Sequence, residues 1–357
     1  MGRSFQESFR VLICSDQGGV MDKVAIAKAF LKEKVNEVDS VLPDKLAAAV
    51  VVGLILNALL TVLSFIYDHF IKGTGSIKRY GKWAVVTGAT DGIGLAMATE
   101  FAKKGLNVAL VSRTQKKLDD CAEELKSKFP SIEVKTLAVD FSTINDPKVQ
   151  AGIAKFMEPL EVGILVNNVG VSYPFAKYFH ELKDEEVEAL NTVNMDATIW
   201  MTRIALNQGG MLSRKKGAVV NVSSVAGVLC SPLLAQYGGA KGGVAQFTKA
   251  MHYEYSSKGI YFQCQIPFYV TTKLAKLRKA SLMVASQGGY AKAAIKSLGN
   301  KTGVIVSPFW SHAVQLSALS MLPESVQAAI INMSHQGIRK AGLKKEARLA
   351  EEKKKGK

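Results

Sequence analysis

The sequence predicts an α/β protein built on a doubly wound parallel sheet, preceded by one membrane-spanning helix. Three observations carry this. A strand-length apolar run, Trp83 to Thr87, stops at a glycine-rich turn ahead of an apolar-periodic segment that starts near Ile93. Short apolar runs then alternate with helical stretches, the pattern of a parallel sheet covered on both faces. Ahead of both, Leu46 to Tyr67 holds no charged side chain and has Asn57 as its most polar member. As a helix, about 20 such residues span roughly 30 Å of hydrocarbon.

The chain has 357 residues, which suits one catalytic domain with appendages. Its formal charge of +16 suits an acidic partner: a nucleic acid, a phosphate-bearing substrate or an anionic membrane face. No nucleic-acid motif is present, so that partner is not expected. Cys14, Cys121, Cys230 and Cys264 show no metal-like pairing and read as reduced thiols of a domain facing the cytosol; no metal is expected.

Residues 1–45 are polar, without the opening of a secretory signal, and Gln6 stands where a myristoylation signal needs Ser or Thr. Apolar positions from Val24 to Val38 predict a short amphipathic helix. The membrane helix is assigned to 46–67. Lys72, Lys78, Arg79 and Lys82 follow it, an excess of basic residues that places the following domain in the cytosol. The catalytic domain is assigned to 80–335, with strands at Trp83–Thr87, Asn107–Ser112, Glu133–Asp140, Ile164–Asn168, Ala218–Ser223 and Tyr261–Pro267. Residues 271–300 read as a basic and apolar insert on the substrate side, and 336–357 as a basic tail. Gly303 to Leu322 reads as a seventh strand plus a helix bordering an acyl channel, in preference to a membrane-lying segment or a second span.

The glycine turn has a chemical reason. Gly88 lets the chain turn tightly, Gly92 removes a side chain where a diphosphate approaches, and Gly94 permits close packing of helix on sheet. First-turn amides of the helix then face an anion, and Thr90, Asp91 and Ile93 are expected to border it. The next strand ends in Ser112-Arg113, with no carboxylate to hold a ribose 2′-hydroxyl. Arg113 offers a planar fork for a phosphate, which favours NADP(H) over NAD(H). Asp140 is expected at the adenine edge. Asn167, in N-N-V-G, is expected to border the cofactor and brace the sheet.

Tyr237 and Lys241 stand four apart in Y-G-G-A-K and so share one helix face. A phenol with a reference pKa of about 10 is a poor acid near neutrality. A neighbouring ammonium lowers that value and makes Tyr237 a proton donor to a carbonyl receiving hydride. Ser224, just past the fifth strand, is placed to hydrogen-bond the same oxygen. Asn194, in T-V-N-M, is placed to hold a water linking Lys241 to solvent.

Residues of about 80–270 resemble the short-chain dehydrogenase/reductase family, whose fold is Rossmann-type. T-G-A-T-D-G-I-G, N-N-V-G, the Asn194 segment, N-V-S-S and Y-G-G-A-K all stand in the family's order. By position the resemblance implies a tetrad of Asn194, Ser224, Tyr237 and Lys241, with Tyr237 and Lys241 also touching the cofactor. Where most members have Pro-Gly after strand six this chain has Pro267-Phe268, then Y-V-T-T-K-L-A-K. That departure resembles the membrane-bound very-long-chain 3-oxoacyl-CoA reductases and 17β-hydroxysteroid dehydrogenases of type 12. The family implies that backbone near Val270 holds the nicotinamide amide and Thr272 the diphosphate.

The expectation is therefore NADPH-dependent reduction of a long-chain 3-oxoacyl-CoA in fatty-acid elongation. Lys273, Lys276, Arg278 and Lys279 are expected to meet coenzyme A phosphates or the membrane face. Lys354 and Lys355 resemble a dilysine retrieval signal of the endoplasmic reticulum. Other elongation enzymes and a second copy of the chain are the further partners considered. The rival readings are a 17-ketosteroid or retinoid dehydrogenase and a non-catalytic membrane scaffold.

Overall fold

The computed structural model describes residues 44–275, 277 and 279–354, together with Ala29 and Lys32. The amphipathic helix expected at Val24 to Val38, Lys276, Arg278 and the dilysine's Lys355 therefore lie outside the described residues. The chain forms two compact units, residues 1–71 and 72–357.

In the first unit helix α1 (Asp44–Ile66) continues through a π-helical turn, Tyr67–Ile71. Leu46–Ile71 is long and apolar enough to cross a membrane, with a mean hydropathy of 2.6 and none of its apolar window buried. A core helix of a soluble domain would cover such a surface.

The second unit is a seven-stranded parallel sheet: β1 (Trp83–Thr87), β2 (Asn107–Ser112), β3 (Val134–Ala138), β4 (Val162–Asn167), β5 (Gly217–Val222), β6 (Ile260–Gln265) and β7 (Ile305–Val306). The spatial order is β3-β2-β1-β4-β5-β6-β7. β1 therefore has β2 on one side and β4 on the other, and the switch between them opens a crevice beyond the strands' carboxyl ends. Alternate β1 side chains feed the two faces: Ala84 and Val86 join one core with Met97, Phe101 and Leu110, while Trp83 and Val85 join the other with Leu165, Met201 and Phe262.

The covering helices are α2 (Gly92–Lys103), α3 (Gln115–Lys128), α4 (Pro147–Met157), α5 (Asp184–Asn191), α6 (Ala197–Asn207), α7 (Ala235–Tyr255), α8 (Gln287–Asn300), α9 (Trp310–Ser320) and α10 (Glu324–Lys354). Their starts are set locally. The Asp91 carboxylate accepts from the Gly92 amide at the head of α2, and Asp146 with Pro147 begins α4.

Three features differ from the sequence expectation. The second half of the 271–300 insert is α8, which buries Tyr290, Ala291, Ala294, Ile295 and Leu298 in the same core as α2, so that half is a structural layer of the sheet, and only the first half, with Thr272, Leu274 and Ala275, lies on the cavity side. α10 runs without a break through the boundary drawn at 335/336. Residues just ahead of 80 belong to the body of this unit: Ile77 is buried, and Arg79 donates to the Gly299 carbonyl at 2.6 Å. The strand and helix expected between Gly303 and Leu322 are β7 and α9.

Candidate active site

The turn after β1 is a cradle. Gly88 and Gly92 have φ of +63° and +58°, a left-handed conformation that side-chain-bearing residues rarely adopt. A Cβ on Gly94 would lie 2.3 Å from the Gly88 carbonyl oxygen, so the turn closes onto the first turn of α2 only because no side chain intervenes. A Cβ on Gly92 would come 3.1 Å from Thr272 Cγ2, which puts Gly92 and Thr272 on facing walls of one slot. Lys273 closes on Asp91 at 2.6 Å, an exposed pair at the slot's edge. Thr90 Oγ1 meets Ser112 Oγ at 3.0 Å and ties the turn to the end of β2, where Arg113 is exposed. Asp140 accepts from the Ser142 amide and hydroxyl; those bonds, with Arg113 nearby, hold its carboxyl below the usual range. This donor set, with amides at a helix start and an exposed guanidinium, fits a dinucleotide bearing a ribose phosphate.

Asn167 does not border this slot. Its amide is 3 % exposed and donates to Thr202 Oγ1 at 3.0 Å and Asn221 Oδ1 at 2.8 Å, bracing β4 against α6 and β5. Strand alternation turns it away from the slot, and the next residue, Asn168, faces it and donates to the Thr87 carbonyl at 3.0 Å.

Beyond the slot lies a cavity of about 360 Å³ whose walls include Asn194, Ser224, Tyr237 and Lys241. Ser224 follows β5, and its Oγ accepts from the Ala226 amide at 3.2 Å, leaving the hydroxyl hydrogen to be donated. Ser223, the neighbouring serine in N-V-S-S, is spent: its hydroxyl donates to the Lys241 carbonyl at 2.7 Å. Tyr237 and Lys241 lie on α7. Lys241 Nζ donates to the Val222 carbonyl at 3.0 Å, and burial lowers its pKa to about 8. Burial pushes the Tyr237 phenol above its ordinary value, against the Ser224 hydrogen bond that pulls it down. Desolvation outweighs that bond, and the lowering expected from the Lys241 ammonium does not appear.

Asn194 occupies a π-helical turn, Thr192–Asp196, between α5 and α6. Its amide holds Val171 at both backbone atoms, accepting from the amide at 3.1 Å and donating to the carbonyl at 3.0 Å. Val270 is 3 % exposed and pairs with Ala285 in an isolated bridge beside the cavity.

The far end of the cavity is apolar, and the sequence reading missed most of it. Phe175, Leu234, Phe268, Ile330, Ile331 and Ile338 line it, along with Leu319 of α9. α10 is fastened there: Arg339 makes a bidentate ion pair with Glu181 at 2.5 Å to each oxygen, and His335 bonds the Pro232 carbonyl at 2.6 Å. The signal was present as Ile331, His335, Ile338 and Gly342, spaced 4, 3 and 4 along one helix face.

Residues 82–282 match the short chain dehydrogenase family. The chain belongs to that family, a class of oxidoreductases. Within it, the chain is 41% identical over 274 residues to the very-long-chain 3-oxoacyl-CoA reductase of Rattus norvegicus, covering 75% of this chain and 84% of that protein. It is also 38% identical over 291 residues to the inactive hydroxysteroid dehydrogenase-like protein 1 of Homo sapiens, covering 78% and 85%. Among solved structures, a short-chain dehydrogenase from Sphingobium yanoikuyae in complex with NADPH matches with a TM-score of 0.59 at 25% identity, over 67% of this chain and 92% of that one.

Proposed function

We propose that this protein is a membrane-anchored, NADPH-dependent reductase of very-long-chain 3-oxoacyl-CoA. The observation that carries the reading is the composition of one cavity. Asn194, Ser224, Tyr237 and Lys241 line it together with an extended apolar wall from α9 and α10, in a chain that also has a bilayer-length helix. An acyl chain suits that wall, and the name of the rat relative supports the substrate class. The complete tetrad favours catalysis over a scaffold.

Gly88, Gly92, Gly94 and the amides beyond Asp91 would hold the diphosphate with Thr272, Arg113 the ribose phosphate, and backbone near Val270 the nicotinamide amide. Thr90, Ile93 and Asp140 would border the rest. A reduced nicotinamide bound there would supply the hydride that C3 of the substrate receives. Tyr237 holds a proton at its phenol oxygen and gives it to the C3 carbonyl oxygen as that oxygen gains charge. The Ser224 hydroxyl donates to the same oxygen and fixes its position. Lys241 then returns a proton to Tyr237, with a water held near Asn194 as the route to solvent.

The basic flank after α1 supports an orientation with the catalytic body on the cytosolic side of the endoplasmic reticulum, where other elongation enzymes and a second copy of the chain are the proposed partners. The test is product analysis. Detergent-solubilised full-length protein should convert a long-chain 3-oxoacyl-CoA to the 3-hydroxyacyl-CoA with equimolar NADPH consumed, as read by mass spectrometry. NADPH loss without that product would refute the assignment.

A further inference from the structure

We infer that His312, on α9, is a positioning residue that latches the loop Pro267–Val270 and thereby shapes the nicotinamide end of the cofactor site. The inference rests on the reading that this site holds a nicotinamide dinucleotide. His312 is 0% exposed, and both ring nitrogens bond to consecutive residues of that loop, some 43 positions earlier. The Phe268 amide donates to Nδ1 at 3.3 Å, and Nε2 meets the Tyr269 carbonyl at 3.1 Å. An amide only donates and a carbonyl only accepts, so the ring is held as the neutral tautomer with its hydrogen on Nε2. Burial, which lowers the imidazole's pKa to about 4, keeps it neutral across the physiological range.

The ring cannot turn or slide without breaking these bonds. Phe309 packs edge-on at 5.1 Å, with Phe268 at 5.8 Å and Tyr290 at 6.0 Å. The Tyr269 carbonyl also accepts from the Ala285 amide at 3.0 Å, so a side chain and a backbone bridge fix the same peptide immediately before Val270. Pro267, Phe268, Tyr269, Val270 and Thr272 all line the cavity. The loop thus needs no glycine at 268: Phe268 is not among the described residues with positive φ. A distant imidazole sets its path instead.

The experiment compares full-length wild type with His312→Phe, which keeps ring volume and loses both bonds, and with His312→Asn, whose Oδ1 can still accept from the Phe268 amide. NADPH affinity is read by quenching of protein fluorescence, beside unfolding temperature, KM and kcat. Loss of two hydrogen bonds at the loop predicts about a tenfold weaker NADPH affinity and a lower kcat at saturating NADPH in His312→Phe, with partial recovery in His312→Asn. Wild-type affinity and kcat in His312→Phe overturn the latch. So does an equal loss in both variants that tracks only their unfolding temperatures. If His312→Phe does not accumulate, His312→Asn and His312→Gln, which retain one bond each, must still show weakened NADPH affinity, and wild-type affinity in both overturns the inference. A wild type that fails to bind NADPH overturns the dinucleotide reading itself, and the latch with it.

Discussion

Asn194 and Lys241 face the same α-carbon: a Cβ on Gly170 would lie 2.7 Å from Asn194 Oδ1 and 3.4 Å from Lys241 Nζ. The absent side chain is what lets the amide and the ammonium approach each other behind the β4 loop. Gly170→Ala should therefore push Asn194 off Val171 and lower kcat by about tenfold or more, with KM for NADPH changed little. A displaced buried amide costs about 1–3 kcal/mol, so unfolding temperature should fall as well. Steady-state kinetics with a melting curve checks both.

Lys241 gives a pH dependence with a fixed sign. Its folded pKa of about 8 lies below the ordinary 10.5, so between those values the unfolded chain binds more protons than the folded one. Stability should rise with pH across that window, by up to about 3 kcal/mol, and Lys241→Met should flatten the rise. Ketone reduction should run the other way, falling as pH climbs through 8 and the ammonium is lost. Denaturant melts and rate profiles from pH 7 to pH 10 read the two together.

Arg113 is exposed at the end of β2 with no acidic residue in the adjoining Ser112–Thr114 segment. Arg113→Asp should cut kcat/KM for NADPH by about 10- to 100-fold, the loss of a charge-assisted pair worth roughly 1.5–3 kcal/mol, and should improve use of NADH. Parallel assays with the two cofactors decide it.

Gly342 of α10 touches the cavity through Phe175, since a Cβ there would lie within van der Waals overlap of the Phe175 ring, at 2.2 Å from Cγ. Gly342→Ala should drive that ring into the cavity it lines. Turnover of long-chain substrates should fall more than that of short-chain ones, and a chain-length series of 3-oxoacyl-CoA esters measures it.

What the sequence made legible follows from how local each signal is. β1 and β2 match their expected bounds because a buried parallel strand is a short, nearly continuous apolar run ended by turn residues. β3 is shorter than expected: Val139 and Asp140 extend past the last paired residue, Ala138, and Asp140 caps a turn. Ser224, Tyr237 and Lys241 were readable from spacing along one loop and one helix. His312 was not, because its partners are 43 and 44 positions away and nothing local marks it. Of the two roles expected of Asn167, bracing the sheet is seen and bordering the cofactor is not, because two adjacent asparagines look alike until strand alternation separates them. The covering role of α8 was hidden because the insert was read from the basic residues ahead of the helix, Lys273, Lys276, Arg278 and Lys279.

The central claim is that one site, with Tyr237 as proton donor, reduces long-chain 3-oxoacyl-CoA. The direct measurement is NADPH oxidation by the solubilised full-length protein with a long-chain 3-oxoacyl-CoA and, separately, a 17-ketosteroid, for wild type and Tyr237→Phe. The account predicts turnover of the acyl-CoA that drops by about 10²- to 10⁴-fold in the variant while NADPH binding persists. Turnover of the steroid alone, or acyl-CoA reduction untouched by Tyr237→Phe, would contradict it.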